Sequence, residues 1–136
     1  MRIIAKNEFY EIEYDEIKNR IIYKVLGYWQ NSSVVPHYLE DMEKVLKLAK
    51  PNYTFIANLS EAKTHPKEVM ELREKAQKMV KNEGLFRIAT VLSTGVFSQI
   101  QLELTYQKNK MPKNTFYSLK MAHKWLDEEE KLQKQE

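Results

Sequence analysis

The chain lacks cysteine altogether, which excludes a disulfide scaffold, a thiolate nucleophile and a cysteine zinc site, and fits a reducing compartment. No apolar run approaches the roughly 18 residues that a membrane-spanning helix needs. The opening segment "MRIIAKNEFY" has no apolar stretch of the kind found in a secretory leader, so the expected location is cytoplasmic. The three glycines and four prolines fall between periodic segments rather than inside them. Charge of one sign is also missing. The 22 basic and 19 acidic residues alternate along the chain to a net +3, and no basic stripe carries interleaved aromatics. That pattern argues against nucleic acid as a partner.

What is present is the composition of a compact globular protein, 43% hydrophobic and 30% charged. A chain of 136 residues suits one domain, which buries roughly two thirds of the surface its unfolded chain would expose. No repeat or linker divides it, so residues 1–136 are read as a single domain. The charged end "DEEEKLQKQE", about residues 128–136, is expected to be a frayed, solvated helical tail in which Glu130 pairs with Lys134.

Periodicity supplies the element order. "FYEIEY" alternates so that Tyr10, Ile12 and Tyr14 share a face, and "RIIYKVLGYW" does the same with Ile21, Tyr23 and Val25 across a turn at "DEIKN", which reads as a hairpin. From Ser33, Val35, Leu39, Met42, Leu46 and Ala49 recur at helical spacing, with Pro36 in the first turn and Pro51 beyond the end. "YTFIANLS" is β-rich and nearly continuously apolar, as a strand covered on both faces is. A second helix follows, with Thr64 as its cap, Val69, Leu72, Ala76, Met79 and Val80 inward, and Gly84 at its end. "RIATVLS" is another buried strand, and "STGVFSQIQLELTYQ" a third helix with Val96, Phe97, Ile100 and Leu104 inward. A short strand "TFYSL" leads into a closing helix capped by Ser118 that buries Ala122, Trp125 and Leu126. Alternating strands and helices require parallel neighbours, so the fold class is α/β: a mixed, mostly parallel sheet with an N-terminal β-hairpin and about four helices.

This order, the "NLS" that ends the third strand and the C-terminal "FYSLKMAHKWL" together resemble the SpoIIAA-like branch of the STAS domains, named for sulphate transporters and anti-sigma factor antagonists. In that branch an Ala-x-x-Trp-Leu pattern often follows the last strand, matched here by Ala122, Trp125 and Leu126. The resemblance implies a SpoIIAA-like fold and a cytoplasmic, non-enzymatic binding or interaction domain without a cofactor. Its partner would be another protein or a second copy. It also implies an alternative, a carrier or sensor of a hydrophobic or lipid-like small molecule held between sheet and helices. Regulatory members of the family carry an Asp-Ser-[Ser/Thr/Ala]-Gly motif whose serine is phosphorylated to break partner binding. The corresponding loop here, "SEAKTHPKEV", has neither the Asp-Ser pair nor the glycine, which argues against such a switch.

In a parallel sheet the loops at the carboxyl ends of the strands form the usual ligand crevice, and helix starts there offer N–H donors to an anion. Two junctions, "NLSEAKTHP" and "LSTGVF", are expected side by side. Their ligand or anion candidates are Asn58, Ser60, Thr64, His65, Ser93, Thr94 and Gly95. Helix capping alone also accounts for the hydroxyls, at about 1 kcal/mol each. The three histidines, His37, His65 and His123, belong to no recognisable catalytic or metal set. His37 and Glu40 share a helix face as a surface contact would, and His123 is expected to point to solvent. Leu102 and Tyr106 project roughly opposite the inner side of the third helix and are the candidate interface.

Overall fold

The computed structural model describes residues 1–82, 84–93 and 114–135. Strands β1 (Arg2–Lys6), β2 (Tyr10–Asp15) and β3 (Arg20–Gly27) come first, followed by a 3-10 turn (Ser32–Val34) and helix α1 (Tyr38–Leu48). Then come β4 (Tyr53–Ala62), α2 (Lys67–Asn82), β5 (Leu85–Leu92), β6 (Thr115–Phe116) and α3 (Leu119–Gln135). The six strands lie in the sheet in chain order, β1 to β6. The pairs β1/β2 and β2/β3 are antiparallel, and β3/β4, β4/β5 and β5/β6 are parallel. Apart from Ser93, the helix expected over "STGVFSQIQLELTYQ" lies outside the described residues.

The hairpin forms where expected. Asp15 Oδ1 accepts from the amides of Ile17 and Lys18, both at 3.1 Å, and Asn19 takes a positive φ of 53°, which closes the turn. Strand β1 is an addition to the sequence reading. It pairs Arg2 with Tyr14 and Lys6 with Glu11, and only Ile4 and Ala5 pack against the core, so it carries too little alternation to announce itself.

Each face of the sheet has its own cover. On the first face Tyr10, Ile12 and Tyr14 of β2, Ile21, Tyr23 and Val25 of β3, and Phe55, Ala57 and Leu59 of β4 pack under α1 and α2. On the second face Ile56, Ala89 and Val91 meet Ala122 and Leu126 of α3. Trp125 packs at the margin of this smaller cluster, its ring 5.7 Å from that of Phe116, and is only half-buried. Ser118 caps α3, its Oγ accepting from the Met121 amide at 3.3 Å.

Two helices depart from the expected outline. Helix α1 begins at Tyr38 rather than near Ser33, because Val35 precedes a proline and sits outside the helical region at φ −126°, ψ 60°. Its inner face is consequently Tyr38, Met42, Val45 and Leu46, while Leu39 and Ala49 are half-buried. The charged end is helical, with α3 running to Gln135, but its expected internal ion pair is not formed. Glu130 turns to Arg20 at 3.0 Å instead of pairing with Lys134, and Glu129 binds Arg87 at 3.1 Å.

Candidate functional site

The register Leu59↔Leu92 sets the ends of β4 and β5 side by side, so the two junctions adjoin as expected. Their side chains do not converge. Asn58 is buried, and its Oδ1 accepts from the Ser60 amide at 3.1 Å and the Ser60 hydroxyl at 2.7 Å, a local turn that uses both residues. The first bond of α2 runs from the Met70 amide to the Pro66 carbonyl at 3.0 Å, which makes Pro66 the cap position. Thr64 lies exposed two residues upstream. Ser93 is half-buried at the end of β5, whereas Thr94 and Gly95 lie outside the described residues.

His65 is the candidate that the fold draws inward. It is 3% exposed, with its ring stacked on the buried Trp29 at 5.1 Å and 24° between planes. Trp29 is itself anchored, its indole N–H shared between the carbonyls of Phe9 (2.9 Å) and Leu26 (3.2 Å). The His65 tautomer follows from its neighbours. Nε2 lies 2.9 Å from the Gly27 carbonyl, which can only accept, and Nδ1 lies 3.3 Å from Arg73 Nη1, which can only donate. The proton therefore sits on Nε2 and the lone pair on Nδ1. Burial, joined by the Arg73 charge, lowers its pKa to about 4 against the opposing Gly27 bond, so the ring is neutral. With both ring nitrogens engaged, His65 is poorly placed for proton transfer.

Between the first sheet face and the helices α1 and α2 lies a cavity of about 30 Å³ lined by Tyr23, Tyr38, Met42, Phe55, Arg73 and Gln77 among others. The hydroxyls of Tyr23 and Tyr38 share a hydrogen bond of 2.8 Å. Burial raises the pKa of both phenols. The Arg73 charge opposes that rise in each.

A second buried arginine was not singled out from the sequence. Arg20 is fully buried under α3, with Nε donating to Thr54 Oγ1 at 2.9 Å and Nη2 to Asp127 (2.9 Å) and Glu130 (3.0 Å). Its Nη1 lies 2.9 Å from His123 Nδ1, which corrects the expectation that His123 points to solvent. Burial and then the charges of Arg20 and Lys18 lower the His123 pKa. Burial pushes the Asp127 carboxyl up, but Lys18 and Arg20 outweigh it and hold it low. The available signal was the spacing of His123, Asp127 and Glu130 at i, i+4 and i+7, one polar stripe beside the apolar Ala122 and Leu126. His37 and Glu40 form the exposed contact expected, at 3.3 Å.

The outward side of α3 is apolar in part. Met121 and Leu132 are 51% and 57% exposed, Trp125 lies between them at the same helical phase, and Tyr117 precedes the helix at 65%. Leu102 and Tyr106 lie outside the described residues. Among the described residues, no group of three histidine or carboxylate side chains could hold a metal, and no helix is long and apolar enough to cross a membrane.

Neither protein-family models nor curated protein sequences match the chain. Solved structures do. An uncharacterised DUF3478-family protein with a SpoIIAA-like fold from Shewanella loihica PV-4 superposes with a TM-score of 0.62 at 10% identity, over 90% of this chain and 97% of that one. An anti-sigma factor antagonist from Mycobacterium paratuberculosis gives 0.61 at 12% identity, over 90% and 98%. The fold is therefore SpoIIAA-like, as the sequence resemblance implied.

Proposed function

We propose that the protein is a non-enzymatic interaction domain that binds a protein partner through the outer face of α3. The observation that carries this reading is the contrast between the two sides of that helix. Ala122 and Leu126 are sealed against the sheet, while Met121, Trp125 and Leu132 form a stripe open to solvent in whole or part. Exposed apolar side chains aligned on one helix are the usual centre of a modest interface. The anti-sigma factor antagonist among the structural neighbours agrees with a regulatory role of this kind. Leu102 and Tyr106 belong to the same proposal on sequence grounds, as a further contact. Carriage of a lipid-like molecule is less favoured, since the cavity of about 30 Å³ is far below the roughly 300 Å³ of a pocket for such a ligand.

The test is the pair of changes Met121→Glu with Leu132→Glu. The variant is expected to melt as the native protein does, because neither side chain is in the core. A protein that copurifies stoichiometrically with the native chain is expected to be lost. Retention of that partner by the variant, or copurification of a lipid in place of any protein, overturns the reading.

A further inference from the structure

The cavity wall carries a positive charge that no carboxylate in the described chain answers. Arg73 is 9% exposed. Its Nη1 donates to His65 Nδ1 at 3.3 Å and to Met70 Sδ at 3.5 Å, and the Tyr23 hydroxyl is a further hydrogen-bonding neighbour. All three acceptors are neutral. Among the described residues no ion pair includes Arg73. Arg20 shows how the same fold treats a buried guanidinium elsewhere: it receives two carboxylates, Asp127 and Glu130. An arginine does not shed its proton, so the penalty of a buried, uncompensated charge cannot be relieved by neutralisation. A counter-ion from solution relieves it.

We propose that the cavity between β3, β4 and α2 binds a small monovalent anion, a halide or a lone carboxylate, on the Arg73 guanidinium with a Tyr23 or Tyr38 hydroxyl as second donor. The phenols suit that role. Of their two hydroxyl protons one is committed to the bond between them, and the other is left to donate. Volume sets the class of ligand. About 30 Å³ admits a body of one or two water molecules' size, such as chloride or formate, and leaves no room for a sugar acid or an acyl chain. The apolar remainder of the wall, including Met42 and Phe55, strengthens the attraction by keeping water away. His65 accepts a hydrogen bond from the guanidinium while remaining uncharged, so it adds no second cation. This site is on the opposite face of the sheet from α3 and stands independently of the interaction surface.

Chlorine-35 line broadening measured on the whole chain at pH 7.5 tests the proposal, with ionic strength held constant by sodium gluconate. The native protein is expected to broaden the chloride line in a saturable manner, with formate displacing it, and its melting temperature is expected to rise by a few degrees as chloride or formate replaces gluconate. Arg73→Gln is expected to lose the excess broadening at least tenfold. The exposed Lys120→Gln control should leave it intact. Tyr23→Phe and Tyr38→Phe keep the charge and each should weaken binding severalfold, an arm that remains decisive where Arg73→Gln does not fold. Absence of saturable broadening in the native protein overturns the proposal, as does broadening that survives either Arg73→Gln or both phenol substitutions unchanged.

Discussion

Arg20 Nη1 lies 2.9 Å from His123 Nδ1, joining the start of β3 to α3 across 103 positions of sequence. The arginine is fully buried, and Thr54, Asp127 and Glu130 take three more of its five N–H donors. This cluster, with the small apolar group around Leu126, is what fastens the last helix to the sheet.

Replacing Arg20 by methionine is therefore expected to cost about 3 kcal/mol, because it leaves Glu130 without its cation and Asp127 with only the more exposed Lys18. Urea unfolding measures the loss. The further change of Glu130 to glutamine should recover part of it by removing one of the two charges. If Arg20→Met unfolds at the native urea concentration, the cluster contributes nothing to the docking of α3.

Acid stability follows from both arginine-facing histidines. His65 has a folded pKa of about 4 against an ordinary 6.5, so between these values the unfolded chain binds more protons than the folded one. Its contribution is complete above pH 6.5 and is lost as the pH falls through about 4, a change of ~3 kcal/mol. His123, also lowered, acts in the same direction, and Asp127 adds a further loss at more acid pH. The free energy of unfolding should be level from pH 8 to about pH 6.5 and fall from there to pH 4. His65→Gln should flatten the profile between pH 6.5 and 4.

Gly27 ends β3 at φ +64°, and its carbonyl accepts from both the Lys63 amide (3.0 Å) and His65 Nε2 (2.9 Å). A Cβ placed there meets nothing within 4 Å, so the demand on this position is conformational and not spatial. Gly27→Ala is expected to cost about 1 kcal/mol, and Gly27→Asn less, since asparagine tolerates the left-handed region better. Equal stability of all three forms in urea would contradict this account.

Much of the fold was legible in local pattern. The alternation of Tyr10, Ile12 and Tyr14, the nearly continuous apolar run Phe55–Leu59, Gly84 after α2 and Ser118 before α3 each mark an element within a few residues of themselves, and each stands where expected. These signals survive because strand and helix periods are properties of neighbouring residues. Features whose cause lies far along the chain were not legible. Strand β1 is held by its pairing with β2 more than by a pattern of its own, and the start of α1 turned on the restriction that Pro36 places on Val35. His65 looked like one junction residue among seven, and its burial depends on Trp29, 36 positions earlier, presenting a ring to stack upon. Periodicity tells which side of an element is dry. It does not tell which polar group will be caught there or what it will face, because that is decided when strands and helices distant in sequence close over it. The sequence by itself determined a SpoIIAA-like sheet with helices over it. Only the tertiary structure decided that one buried arginine meets two carboxylates and the other, Arg73, meets none among the described residues.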